Sequence, residues 1–327
     1  MNKLLASFLD AYGLYDLHKK KSKVSHFSQS LKIPTSIEEL KSFYPVPSVP
    51  DVVFEQNDSI DNYSSGKYKF KSEIVGNGDS NAYSTGEYYK SKKNNSTTSV
   101  ILVHGWRMNS FNRINNIYLE AFKDVGYNIF SFILPHHFKR ASDDSLYNGE
   151  LMISTNIDRS LLSVKQAISD LRALIYYLKE KNNKVILIGI SLGGFITNLA
   201  GVLEEEIDVL ISVMYANSLP FSVWKSIPGK YMKKDFESGG FTYEELKKFW
   251  AIIVPSNFKP VIPKENILLI SGEYDKYVLA EDTDLLWDNW GKPKRLIFPC
   301  GHSGIVFCRN LIRKESLKFI AERLSYK

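Results

Sequence analysis

The sequence predicts an α/β fold: a mostly parallel, doubly wound sheet with an antiparallel N-terminal edge and a small helical lid inserted late in the chain. Three observations carry this prediction. From Ser99 onward, short apolar runs alternate with longer stretches of helical spacing, the rhythm of βαβ units covered on both faces. The string Gly189-Ile190-Ser191-Leu192-Gly193 stands between the apolar run Val185 to Ile188 and a helix-like stretch, Phe195 to Glu206. Between Ser218 and Pro263 the alternation stops, and an aromatic-rich stretch intervenes before it resumes.

In chain order, residues 1–66 read as a helix followed by a proline-punctuated arm, Pro34 to Pro50, that wraps the main domain. Leu4, Leu5, Phe8, Leu9 and Tyr12 recur at helical spacing, which predicts an amphipathic helix packed through that face, or one lying on a membrane surface beside the basic run Lys19 to Lys23. Residues 67–327 form the main domain. Lys67 to Val75 and Ala82 to Tyr89 read as antiparallel strands around the turn-rich Gly76 to Ser80. Strands to Val103, from Tyr127 to Leu134, from Lys184 to Ile188 and from Ile207 to Tyr215 then alternate with helices near Arg113 to Val125 and Asn156 to Lys181. The insertion spans 219–263 and carries Phe221, Trp224, Tyr231, Phe236, Phe241, Phe249 and Trp250.

The string around Ser191 is weak as letters alone, since G-x-S-x-G arises by chance in about one chain of this length in ten. Its context is stronger. A tight strand-to-helix turn needs small residues for close packing, and it leaves the serine hydroxyl projecting at the start of a helix, where negative charge is favoured. Ser191 is therefore either a nucleophile or a helix cap. His104-Gly105-Trp106 follows an earlier apolar run, Ser99 to Val103, so the backbone N–H groups of Trp106 and Leu192 are placed to converge on one oxygen. Downstream, Asn266 to Gly272 reads as a strand leading to Asp275, and Arg295 to Phe298 as a last strand leading to His302.

A serine, an acid and a histidine in that chain order resemble the α/β-hydrolase superfamily, over residues 67 to 325. The resemblance implies that Ser191 attacks an acyl carbonyl, His302 moves the proton and Asp275 holds the imidazole tautomer. One departure is plain: His104-Gly105-Trp106 lacks the glycine run of lipase oxyanion loops, which argues against large branched esters. Leu134-Pro135-His136-His137-Phe138-Lys139-Arg140, followed by Asn148 to Ser154 and a long helix, resembles bacterial relatives of the α/β-hydrolase domain-containing 18 family. His104, Gly105, His136, His137, Trp224 and Trp250 are the candidate pocket residues.

The implied activity is a serine hydrolase cleaving a carboxylic ester, a carboxylesterase or lipid-ester hydrolase, with a small-molecule acyl ester as partner. A serine peptidase or amidase of prolyl-oligopeptidase-like type, or a noncatalytic binding protein on the same fold, are the alternatives. No cofactor or metal is expected, since no HExxH or paired CxxC occurs. The net charge of +6 is scattered among acidic residues rather than banded with aromatics, which argues against a nucleic-acid partner. Two cysteines, the lack of a signal-like N-terminus and the lack of a long apolar span lead to the expectation of a cytoplasmic protein without an integral membrane segment. Peripheral membrane contact and oligomeric state are left open.

Overall fold

A computed structural model describes residues 2–18, 37–60, 62–76, 78–92, 97–181 and 183–325. The basic run Lys19 to Lys23 and Pro34 lie outside the described residues. Among the described residues a nine-stranded sheet organises the fold, in the order β1-β2-β3-β5-β4-β6-β7-β8-β9. Strands β1 (Val53–Ile60), β2 (Tyr63–Lys71) and β3 (Tyr83–Ser91) pair antiparallel, and β3 joins β5 (Asn128–Phe132) in the same sense. From β5 through β4 (Thr98–Val103), β6 (Lys184–Ile190), β7 (Val209–Val213), β8 (Ile267–Gly272) and β9 (Lys294–Phe298) every pairing is parallel. This is an α/β-hydrolase fold.

The pleat explains why the central strands read as unbroken apolar runs. Alternate residues of each strand face opposite sides. Ile101, Val103, Leu187, Leu210 and Leu269 pack under α4 (Ile157–Glu180) and α5 (Leu192–Leu203). Their neighbours Val100, Leu102, Ile186, Ile188, Ile211 and Ile270 pack on the other face, under α3 (Asn112–Asp124) and α10 (Ile305–Leu324). With both faces covered, no position of these strands is free to be polar for solvent's sake.

At the amino end lie α1 (Lys3–His18) and α2 (Ile37–Phe43). The sequence placed the arm's end at residue 66, but that position falls inside β2, and residues 53–60 form an edge strand of the sheet. Edge strands need only one apolar face, so the polar letters of Val53–Ile60 hid the pairing. What does wrap is the segment after α2. Arg172 of α4 donates to the carbonyls of Tyr44 and Pro45, each at 3.2 Å, while pairing with Glu204 at 3.1 Å.

Residues 219–263 form α6 (Leu219–Lys225), α7 (Lys230–Ser238), α8 (Tyr243–Phe249) and short 3-10 turns. The Ser218 side chain caps α6, and both Asn217 N–H and Ser218 N–H donate to the carboxylate of Asp282, on α9 (Ala280–Asn289). The chain leaves β4 toward β5 on one side and returns to β6 on the other. A crevice therefore opens at the carboxyl ends of β4 and β6, where such a reversal of strand order places ligands.

Candidate active site

Ser191 occupies the single residue between β6 and α5, with φ 56° and ψ −115°. Left-handed backbone of this kind costs a non-glycine residue on the order of 1–3 kcal/mol and persists only where the surroundings enforce it. Here they do. The Ser191 N–H donates to the Val213 carbonyl of β7 at 2.9 Å. The turn behind it closes so tightly that a Cβ on Gly189 would strike the Gly193 carbonyl, and one on Gly193 would strike the carbonyls of Val103 and His104.

His302 follows β9 on the loop that leads into α10. Its Nε2 lies 3.0 Å from Ser191 Oγ, and its Nδ1 lies 2.8 Å from Asp275 Oδ2. Asp275, three residues beyond β8, spends its other oxygen locally: Oδ1 accepts from the N–H groups of Tyr277 at 2.8 Å and Val278 at 2.9 Å. Both side chains are buried, at 6% and 4% exposure. The carboxylate is thus fixed as an acceptor, which sets Nδ1 as the protonated nitrogen and leaves Nε2 to accept the Ser191 hydroxyl proton.

Around Ser191 opens a cavity of about 630 Å³, lined by Trp106, Arg107, Leu192, Leu219, Val223 and Met232 among others. The first intrahelical bond of α5 runs from Phe195 N to Ser191 O, so the Leu192 N–H precedes the ladder and is one of the free donors of that helix end. Trp106 anchors its loop with its side chain: Nε1 donates to the Gly149 carbonyl at 2.9 Å. Gly105 lines the cavity as well.

The other candidate pocket residues lie elsewhere. His104 is buried, accepting from Leu134 N–H at Nε2 (3.1 Å) and facing its neighbour's carbonyl, Gly105 O, from Nδ1 (2.8 Å). The loop after β5 turns inward rather than toward the entrance, with positive φ at His136 (59°) and Phe138 (50°). His136 accordingly bonds Asn81, and His137 Nδ1 faces the Pro135 carbonyl at 2.8 Å. Burial pushes His104 down to about 4 and His136 down to about 3, and holds His137 well below the usual histidine range. These are neutral structural rings.

Trp224 and Trp250 also stand off the cavity. Trp224 packs against Phe236 and Tyr243, and Trp250, fully buried, meets Phe236 edge to face at 5.9 Å. The insertion's aromatics join the core on the α4 and α5 face of the sheet, because three short helices must bury one face against something. Smaller side chains of the same segment, Leu219, Val223 and Met232, reach the cavity instead.

What sequence reasoning missed lies on α1. Gly13, Asp16 and Leu17 line the cavity, and Asp10 reaches the loops of Asp275 and His302. The apolar face read from the sequence points outward, with Leu4 82%, Phe8 67% and Tyr12 67% exposed, whereas Ala6, Asp10 and Leu14 are buried. A carboxylate at the centre of an i, i+4, i+8 stripe was the available signal. Among the described residues no group of three or more His, Cys, Asp or Glu is placed to hold a metal ion, and no helix is long and apolar enough to cross a membrane.

No protein-family model matches the chain. It is 47% identical over 115 residues to YdjC of Bacillus subtilis (strain 168), an uncharacterized protein, a match covering 99% of YdjC and 35% of this chain. It is 26% identical over 194 residues to MT2702 of Mycobacterium tuberculosis (strain CDC 1551 / Oshkosh), also uncharacterized, covering 58% of this chain and 45% of that protein. Among solved structures, acetyl xylan esterase 1 from Thermoanaerobacterium sp. JW/SL YS485 superposes with a TM-score of 0.65 at 14% identity, over 89% of this chain and 99% of that one. Acylaminoacyl peptidase of Pyrococcus horikoshii superposes with a TM-score of 0.59 at 16% identity, over 81% and 42% respectively.

Proposed function

The chain belongs to the family of Bacillus subtilis YdjC, and we propose that it is a serine hydrolase that cleaves a carboxylic ester through an acyl-enzyme intermediate. The observation that carries this is the continuous line from Asp275 Oδ2 through His302 to Ser191 Oγ, at 2.8 and 3.0 Å, ending on a serine held in left-handed backbone. A helix-capping serine needs neither a histidine at its hydroxyl nor a buried carboxylate behind that histidine.

In this reading Ser191 Oγ attacks the acyl carbon while His302 Nε2 takes its proton. The carbonyl oxygen gains charge as the C–O π bond breaks, and the N–H groups of Trp106 and Leu192 stabilise it. Asp275 stabilises the imidazolium. Collapse of the tetrahedral centre expels the alkoxide, which takes the proton from His302, leaving Ser191 acylated. Water, deprotonated by the same nitrogen, attacks the acyl carbon and releases the carboxylic acid and free Ser191. The cavity suits a small or medium acyl ester.

The Leu134 to Arg140 run supports a place among bacterial relatives of the α/β-hydrolase domain-containing 18 family, a likeness that implies no settled substrate, and the two buried free thiols, Cys300 and Cys308, support a cytoplasmic setting. Labelling by a fluorophosphonate probe tests the reading: wild type is expected to label at Ser191, and Ser191→Ala to lose the label. Absence of labelling in folded wild type, or its retention in Ser191→Ala, counts against it. A panel of p-nitrophenyl esters beside aminoacyl amides separates esterase from peptidase, the same groups serving both reactions.

A further inference from the structure

The Asp10 carboxylate of α1 is fully buried and accepts three backbone N–H groups from two distant loops. Its Oδ2 accepts from Lys276 N at 3.0 Å and from His302 N at 3.2 Å, and its Oδ1 accepts from Ser303 N at 2.8 Å. Lys276 adjoins Asp275, so one side chain joins the backbone of the acid's loop to that of the histidine. Two further contacts secure the helix. The Tyr277 hydroxyl donates to the Asp10 carbonyl at 3.3 Å, and the Ser303 hydroxyl donates to Tyr277 Oη at 3.3 Å. On the far side, a Cβ on Gly301 would lie 2.7 Å from both Asp10 carboxylate oxygens, so glycine there lets the carboxylate approach.

We infer that Asp10 is a positioning residue for the hydrolase site, setting the separation of the Asp275 and His302 loops from a helix at the other end of the chain. This rests on the catalytic reading of Ser191, His302 and Asp275. A plain packing role would be served by an apolar residue at the centre of the buried stripe Ala6, Asp10, Leu14. A charged group buried there is costly unless its acceptors are filled, and all three of its partners belong to the two loops that hold the acid and the base. Burial pushes the Asp10 carboxyl up from its ordinary range and the Ser303 and Lys276 N–H groups pull it back. None of the three partners is an acceptor, so the ionised, acceptor-only form serves all three bonds best. Asp275 and Tyr277 on the acid's loop and Cys300 and His302 on the other are the ionisable groups facing it among the described residues.

The test compares wild type, Asp10→Asn and Gly13→Ala as full chains, with rates expressed per fluorophosphonate-reactive site. Asparagine keeps the shape but turns an NH₂ toward an N–H donor. Its kcat is expected to fall by on the order of 10²-fold with KM little changed, because a 1 Å misplacement of catalytic groups has that effect. The acid limb of its kcat/KM profile should move to lower pH, since a negative charge near the imidazolium is gone. Gly13→Ala places a methyl against the Tyr277 and Ser303 hydroxyls while favouring the helix, is expected to lift α1 from these loops, and should reproduce the kcat loss even if Asp10→Asn does not fold. Wild-type kcat and an unmoved acid limb in folded Asp10→Asn, or wild-type kcat in Gly13→Ala when the first is insoluble, overturn the inference. Inactivity of wild type itself overturns the catalytic reading and this inference with it.

Discussion

The imidazole of His302 lies flat on the phenol ring of Tyr277, centroids 4.7 Å apart and planes within 8° of parallel. The ring that carries the proton in the proposed mechanism thus has a wall on one face as well as a carboxylate at Nδ1 and a hydroxyl at Nε2. Removing that wall frees the imidazole to swing. Tyr277→Ala is expected to lower kcat by about 3- to 10-fold, the worth of one aromatic contact, while Tyr277→Phe keeps the stack and stays nearer to wild type. Steady-state rates on a p-nitrophenyl ester check this, and equal rates for both variants would show the stack to be idle.

Asp275→Asn should leave the fold intact and reduce kcat by about 10⁴, because the amide favours the wrong imidazole tautomer. Nearly full activity would move the acid elsewhere on the chain. Neither nearby carboxylate on α9 is an evident substitute: Asp282 holds the Asn217 and Ser218 N–H groups, and Asp284 pairs with Arg295.

In the insertion, Trp250→Ala is expected to cost about 3–5 kcal/mol of stability through the cavity it leaves, with the acyl-chain preference unchanged. Val223→Ala and Met232→Ala should do the reverse, shifting the preference between short and medium acyl chains by about 1–3 kcal/mol. Thermal unfolding together with a chain-length series separates the two. A changed chain-length profile in Trp250→Ala would return that side chain to the pocket wall.

Three histidines buried in the neutral form make a pH prediction. Between pH 6.5 and about 4 the unfolded chain binds protons at positions 104, 136 and 137, while the folded chain does not. Stability is therefore fully present above the unfolded value and falls as pH drops through this window. Tm measured across it should decline, and His136→Asn should decline less steeply. Parallel slopes for variant and wild type would mean that His136 does not contribute.

The parallel strands were legible because burial on both faces leaves the same apolar letters whichever way the pleat runs, as in Val100 to Val103. The turn at Ser191 was legible because close packing there admits only small residues. Strand β1 was not: Val53–Ile60 carries Glu55, Gln56, Asn57, Asp58 and Ser59 along an edge. His136 and His137 were misplaced because chain order locates a loop at an edge of the sheet but does not say whether it folds outward or in. Trp250 was misplaced because aromatic density marks burial without saying against what. Asp10 was missed for another reason: beyond its place in the stripe with Ala6 and Leu14, its partners are backbone N–H groups, which every residue but proline supplies, so no letter downstream announces them.

The bonds from Asp10 span 266, 292 and 293 residues of chain. A ribosome makes α1 well before the loops it clasps, so until those loops emerge the helix has no partner at its buried carboxylate, and its docking closes a very wide loop. The sheet can assemble from neighbours made in succession, but on the proposed role of Asp10 the loops of Asp275 and His302 come into register only when α1 docks on them. Acquisition of activity on refolding should therefore lag the return of secondary structure, with α1 as the last piece set in place.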